Sequence, residues 1–240
     1  MEKEKLLEEL VKRLREAYGN DLVSVVLYGS AASDDYQKKY SDLNVLCTLR
    51  QVGVPELRRG AKAIDWWIKQ KQPAPLLLSL EETENSHDAF PIEFLDIQQS
   101  HRILYGEDLV AGIQVDTRHH RRQVEHELRS DVLRLRERYL RLQRHDKEVI
   151  RLMVESLPAI ATMARHALIL AGVTAPARKR ETFQAASSHF SIEAAPFLTV
   201  LGIREGGAKP PSNQMHDLFA AYLEQVSRLA VAVDQLGTSP

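Results

Sequence analysis

The chain has 240 residues, of which 44% are hydrophobic and 27% are charged, values that are ordinary for a globular protein. Its formal net charge of −1 provides no global attraction to nucleic acid or to acidic membranes. We therefore expect no membrane contact and do not favour nucleic acid as a partner. The single cysteine excludes an intramolecular disulfide and a cysteine-based zinc site. Together with a charged N-terminus and no long apolar run, it predicts a cytoplasmic location.

The first elements alternate between helices and strands. Residues 2–18 have the apolar spacing of an amphipathic helix, which Gly19 ends. The apolar runs 22–28 and 43–49 are short, rich in β-branched residues and bounded by turn residues, so we predict buried strands. Between them, residues 31–40 are expected to begin as a short helix whose N-terminus faces the end of the first strand.

A further helix and two more strands are predicted next. The helix begins at Pro55, a favourable first-turn residue, and is ended by Pro73. Residues 76–80 are a third strand candidate, and residues 90–97 (FPIEFLDI) are a fourth. The sequence therefore predicts a sheet of at least four strands in the first half of the chain.

Two carboxylates lie within the predicted fourth strand. Its alternation places Glu93 and Asp96 on opposite faces. A carboxylate inside an apolar run is unfavourable unless it is paired or holds a metal. Either acid is thus a candidate ligand, the alternative being that it reaches solvent at an edge or an end of the strand.

The composition changes near His119, where charged and apolar residues take up helical spacing. Helices are predicted over residues 123–143, 149–170, 182–190 and 215–236, the second being kinked or broken at Pro158. Short loops between amphipathic helices are typical of an antiparallel bundle. We predict an α+β fold with two domains: a mixed sheet flanked by helices in residues 1–115, followed by an all-α antiparallel bundle in residues 116–240.

The most informative residues surround the end of the first predicted strand. Gly29 allows a ligand to approach the backbone closely, and Ser30 adds a hydroxyl and an N–H group beside it. Asp42 precedes the second predicted strand, and Asn44 follows two residues later, so both side chains are expected on the same face.

This arrangement of two strands, a Gly-Ser corner and an acid resembles the nucleotidyltransferase superfamily, in its kanamycin-type and minimal forms. The resemblance implies that Gly29 and Ser30 bind the phosphates of a nucleoside triphosphate. Asp42, Asn44 and Glu93 would hold Mg²⁺, and Asp42 and Glu93 would be catalytic, with Glu93 as general base. Asp96 is the rival for that third acidic position.

The resemblance also implies an activity. It is the Mg²⁺-dependent transfer of a nucleoside monophosphate, AMP from ATP, to the hydroxyl of an unidentified acceptor, which the helical bundle would help to hold. Because Asn44 stands where the family has its second aspartate, the alternative is a catalytically impaired nucleotide-binding or regulatory protein on the same fold. Kanamycin-type enzymes place two subunits around each site, so a homodimer is a further expectation.

The histidines and the single cysteine give weaker indications of function. Arg121 with His126, and Arg138 with His145, have the loose spacing of ribonuclease-like helical bundles, but among nine histidines such spacings arise easily by chance. We do not predict a nuclease from them. His166, within an apolar helix, and Cys47, on the strand face away from Asp42, are expected to be core residues.

Overall fold

The computed structural model describes residues 2–32 and 43–236. The chain divides into two compact units, Met1–Thr117 and Arg118–Pro240. The first unit contains a mixed sheet flanked by helices and the second is helical, which confirms the predicted α+β fold. Across the described residues, no helix combines the length and the apolar character needed to cross a membrane.

The described residues of the first unit form four strands and four α-helices. In chain order they are α1 (Glu2–Tyr18), β1 (Leu22–Tyr28), β2 (Asn44–Leu49), α2 (Val54–Lys69), β3 (Leu76–Ser79), α3 (Leu80–Asn85), α4 (Pro91–Gln99) and β4 (His101–Gly106). The strand order in the sheet is β3-β2-β1-β4. Strand β1 pairs antiparallel with β2 and β4, whereas β2 and β3 are parallel.

The central strands bury side chains on both faces of the sheet. On one face, Val25 and Leu27 of β1 pack in a cluster with residues of α1 and α2, including the fully buried Trp67. On the other face, Val26 packs against Ile97 of α4. Cys47 lies in the first cluster as expected, and its burial raises the pKa of the thiol to about 12.

The strand predicted over residues 90–97 is wrong. Most of this segment forms helix α4, and the fourth strand is β4, which follows it. Pro91 occupies the first turn of α4, where its missing N–H is not needed. Short apolar runs fit both the helical and the strand period. Here Ile92, Phe94 and Ile97 are buried, a pattern that does not alternate strictly, and Ile97 packs against the sheet.

In the second unit, the part of the chain that the structure describes forms five helices. They are α5 (His120–Leu142), α6 (Asp146–Leu170), α7 (Lys179–His189), α8 (Ala195–Arg204) and α9 (Ser212–Gln235). Helix α6 continues through Pro158 instead of breaking there. The sequence did not predict α8, which is apolar over most of its length and therefore has no clear amphipathic pattern.

Two buried histidines connect α5 to α6. His120 Nε2 lies 2.9 Å from His166 Nδ1, so one ring nitrogen donates a hydrogen bond to the other. Both side chains are almost completely buried, which confirms His166 as a core residue with a polar partner. The contact joins the start of α5 to the end of α6, as an antiparallel helical hairpin requires.

We propose that the two units are separately folded domains, and we expect a protease to cut between Leu109 and Arg122 before it cuts within either unit. Residues 107–119 contain no helix or strand. Gln98 Nε2 anchors the first part of this segment by donating to the carbonyl oxygens of Val110 at 2.9 Å and Ile113 at 2.6 Å. The first cut should therefore follow Ile113.

Limited proteolysis followed by mass spectrometry of the fragments measures this. Two stable fragments that meet between residues 114 and 122 are the expected result. Early cuts within α4, β4 or α5, before any cut in residues 114–122, would contradict the proposal.

Candidate functional site

Gly29 forms a fixed corner at the end of β1. Its φ of +73° lies in the left-handed region that favours glycine. Its N–H donates to the carbonyl oxygen of Ser100 at 3.0 Å, and the Ser100 hydroxyl donates back to the Gly29 carbonyl at 3.3 Å. Residues Gly29–Ala31 then form a 3-10 turn, closed by the Ala32 N–H on the Gly29 carbonyl. The Gly-Ser corner predicted from the sequence is therefore present and is tied to the start of β4.

Asn44 borders this corner. It is the first residue of β2 and pairs with Tyr28, the last residue of β1. A Cβ atom placed on Gly29 would lie 3.4 Å from Asn44 Nδ2, in van der Waals contact with the amide, so any larger side chain would be placed against it. Asp42 and the helix expected over residues 31–40 lie outside the described residues, except that Ala31 belongs to the 3-10 turn.

The two candidate acids lie on α4 rather than on a strand. Glu93 is exposed in the first turn, and Asp96 follows one turn later and is half-buried. Burial raises the pKa of Tyr28, and the negative charges of Glu93 and Asp96 raise it further. Both carboxylates are thus close enough to act electrostatically on the residue that precedes Gly29. Asn44, Glu93 and Asp96 therefore all lie near Tyr28, the residue before Gly29. The structure does not distinguish the roles of the two acids.

Lys3 is a site residue that the sequence did not reveal. Its ammonium group donates a short hydrogen bond to the carbonyl oxygen of Ala31, the last residue of the 3-10 turn. Partial burial lowers the pKa of Lys3. Nothing local predicts this contact, because a lysine near the start of an amphipathic helix does not indicate its partner and the two residues are 28 positions apart. Lys3 therefore places a basic side chain beside the turn.

The donor atoms near the corner suit a hard cation. Asn44 offers an amide oxygen and Glu93 a carboxylate, and oxygen ligands of this type are those that Mg²⁺ prefers. Within residues 2–32 and 43–236, no three or more His, Cys, Asp or Glu side chains are grouped as a metal site. Asn44 and Glu93 thus have oxygen donors of the type that suits Mg²⁺, and the ligand set predicted from the sequence adds Asp42.

Comparisons with known proteins concern the same part of the chain. The family model of the nucleotidyltransferase domain matches residues 7–104, which include the corner, Asn44 and both acids. Among curated proteins, no sequence matches the chain at a significant level.

One solved structure resembles the chain over nearly its whole length. It is a spectinomycin adenyltransferase from Enterococcus faecialis, crystallised with ATP and spectinomycin. The match has a TM-score of 0.63 and 14% sequence identity, and covers 96% of this chain and 98% of the other. Identity this low establishes a shared fold alone. Together with the match of residues 7–104 to the family model, it supports a nucleotidyltransferase-superfamily fold for this chain.

Proposed function

We propose that the protein transfers a nucleoside monophosphate, AMP from ATP, to an acceptor hydroxyl in a Mg²⁺-dependent reaction. The observation that supports this most is the corner at Gly29, whose left-handed backbone is held by Ser100 and bordered by the Asn44 side chain. A glycine corner opening onto a 3-10 turn is suited to a phosphate, because the first N–H groups of such a turn have no partner within it.

The residues near the corner have different roles in the proposed reaction. Gly29 and Ser30 bind the triphosphate tail, and since the Gly29 N–H already donates to Ser100, the contact comes from the N–H groups that follow. Asp42, Asn44 and Glu93 would hold Mg²⁺, which supplies charge neutralisation for the phosphates when bound. Glu93 accepts the proton of the acceptor hydroxyl, and its exposure on α4 leaves it accessible to an incoming molecule.

The alternative is a nucleotide-binding or regulatory protein with an impaired site. It is favoured by Asn44, which supplies an oxygen but no negative charge where the resemblance expects an aspartate. An amide can ligate Mg²⁺, as the asparagine of protein kinases does, so this residue weakens a metal site without removing it. The two readings differ in whether bound nucleotide is turned over.

Calorimetric titration of each nucleoside triphosphate, with and without Mg²⁺, tests the proposal. Binding that requires Mg²⁺ supports it, and an AMP-transfer assay then separates the enzyme from the impaired protein. Absence of binding under both conditions overturns both readings. Spectinomycin is the first acceptor to assay because the similar structure contains it. The homodimer stays a prediction that sedimentation velocity can test.

We expect the substitution Asn44→Asp to lower the stability of the free protein and to raise the stability of its complex with Mg²⁺ and nucleotide. The new carboxylate would repel that of Asp42, raise the pKa of one of the two groups and lower the melting temperature slightly. With Mg²⁺-ATP, the added charge should tighten binding by about tenfold, which corresponds to about 1.4 kcal/mol of extra stabilisation.

Melting curves of both proteins, recorded with and without Mg²⁺-ATP, measure the two changes in stability. Asn20→Asp is the matched control, because it adds the same charge at an exposed position at the end of α1. If Asn44→Asp gains no more from Mg²⁺-ATP than Asn20→Asp does, this strand face does not hold the metal.

A further inference from the structure

Three polar side chains meet where α5, α6 and α9 of the second unit approach each other. The Tyr139 hydroxyl lies 2.8 Å from His216 Nδ1, a hydrogen-bond distance. On the other side of the ring, His216 Nε2 lies 3.6 Å from Asp146 Oδ1, an ion-pair distance slightly longer than a hydrogen bond. The imidazole therefore lies between a phenol and a carboxylate.

The order of these groups determines the direction of proton transfer. In neutral His216, one ring nitrogen carries hydrogen and the other accepts. The carboxylate favours hydrogen on Nε2, which leaves Nδ1 to accept the hydrogen of the Tyr139 hydroxyl. A potential nucleophile, a base and an orienting carboxylate in this order form the arrangement that activates serine, cysteine or tyrosine nucleophiles.

The cluster is held in place and is also accessible. The Tyr139 ring stacks on Phe219 with centroids 4.2 Å apart and planes 5° from parallel, which fixes the direction of the hydroxyl. The side chains of His216 and Asp146 are 39% and 35% exposed, so a solute can reach the imidazole. Tyr222 provides a contrast within the same unit, because it is fully buried and its hydroxyl lies 3.0 Å from that of Ser156.

We propose that Tyr139, His216 and Asp146 form a second reactive site, in which the Tyr139 phenol attacks a phosphorus atom of a nucleoside triphosphate. Arg144 and Lys147, on either side of Asp146 in the sequence, are exposed and have no ion-pair partner among the described residues. Two such cations favour a polyanionic substrate. The choice of a nucleoside triphosphate rests on the proposed function, whereas the reactivity of Tyr139 does not.

The reaction is a substitution at phosphorus. The phenol oxygen of Tyr139 forms a P–O bond while a phosphoric anhydride bond breaks, and the leaving group takes the bonding electron pair. The leaving group is pyrophosphate after attack at the α-phosphorus and the nucleoside diphosphate after attack at the γ-phosphorus. The phenol proton moves to His216 Nδ1, and the negative charge of Asp146 stabilises the resulting imidazolium. The product is a phosphodiester or a phosphomonoester on Tyr139, according to which phosphorus is attacked.

The reactivity of Tyr139 can be tested without any nucleotide. The full-length protein is treated with a tyrosine-directed aryl sulfonyl fluoride, and modified peptides are quantified by mass spectrometry. Tyr139 should react at least about tenfold faster than Tyr28 or Tyr222, and His216→Gln should remove most of this advantage, since glutamine accepts the hydrogen bond but takes no proton. Equal labelling of the tyrosines, or full selectivity in a folded His216→Gln protein, overturns the reactive site and leaves a purely structural cluster.

The choice of substrate is tested separately with Mg²⁺-ATP. Transfer to Tyr139, detected as a mass gain on its peptide that is absent in Tyr139→Phe, is the expected result. Selective sulfonyl labelling without transfer from ATP overturns the assignment of a nucleoside triphosphate. Calorimetry on Tyr139→Phe distinguishes this failure from that of the proposed function, because the variant leaves the residues around Gly29 unchanged.

Discussion

Replacing Gly29 with valine should abolish measurable nucleotide binding while the protein stays folded. At a φ of +73°, a β-branched side chain is strained by about 1–3 kcal/mol. Its Cβ atom would also lie 3.4 Å from Asn44 Nδ2, and the γ-carbons would extend further into the space that the amide borders. We expect the 3-10 turn that follows to shift, so that its N–H groups would no longer be placed for the proposed phosphate contact.

The matched control is Gly19→Val. Gly19 also has a positive φ, +54°, but no atom lies within 4 Å of the Cβ position. Both variants therefore have backbone strain, and only Gly29→Val disturbs the proposed site. Calorimetric titration with Mg²⁺-ATP should show unchanged affinity for Gly19→Val and at least about a hundredfold loss for Gly29→Val, equivalent to about 2.7 kcal/mol. Full binding by Gly29→Val would mean that the nucleotide binds elsewhere.

The structure around Gly29 that the sequence predicts correctly, two strands and a turn, depends on local signals. Strands β1 and β2 are short β-branched runs between turn residues, and Gly29 follows β1 directly. Antiparallel pairing of neighbouring strands then brings the start of β2 beside the end of β1, which is where Asn44 lies. The corner and its amide neighbour therefore follow from residues close together in the chain.

The parts that were missed depend on tertiary contacts. Helix α4 was predicted as a strand because a run of eight residues fits both periods, and its packing on the sheet decided between them. Lys3 contacts a residue 28 positions away in the sequence, and Tyr139 contacts His216, which is 77 positions away. No spacing rule connects such pairs, so the sequence does not indicate that these side chains meet.

The place of Glu93 on α4 alters how the proposed site should work. Side chains at the end of a strand are fixed by the sheet, whereas Glu93 is exposed in the first turn of a helix of nine residues. Helix α4 in turn connects through Ser100 to the Gly29 corner. A movement of α4 would therefore change the position of the proposed base and of the corner together, and in the proposed function this would link acceptor activation to phosphate binding.

The largest stability effect is expected at Gly106, the last residue of β4. Its φ is +75°, and a Cβ atom there would lie 1.9 Å from the carbonyl oxygen of Val23, a backbone atom of the paired strand. Gly106 pairs with Ser24, so an alanine must push β4 away from β1 at this end of the sheet. Overpacking and a left-handed alanine together should lower the free energy of unfolding by at least about 3 kcal/mol.

Gly19→Ala separates the two contributions, because that position has the positive φ without any close neighbour. It should cost about 1 kcal/mol, the part that both variants share. Denaturant unfolding of the first unit, followed through tryptophan fluorescence of Trp66 and Trp67 in α2, measures both variants against the parent protein. A loss at Gly106→Ala no greater than that at Gly19→Ala would show that β4 adjusts freely at this end. In that case the corner at Gly29, held by Ser100 at the opposite end of the same strand, would be less rigid than the proposed phosphate site requires.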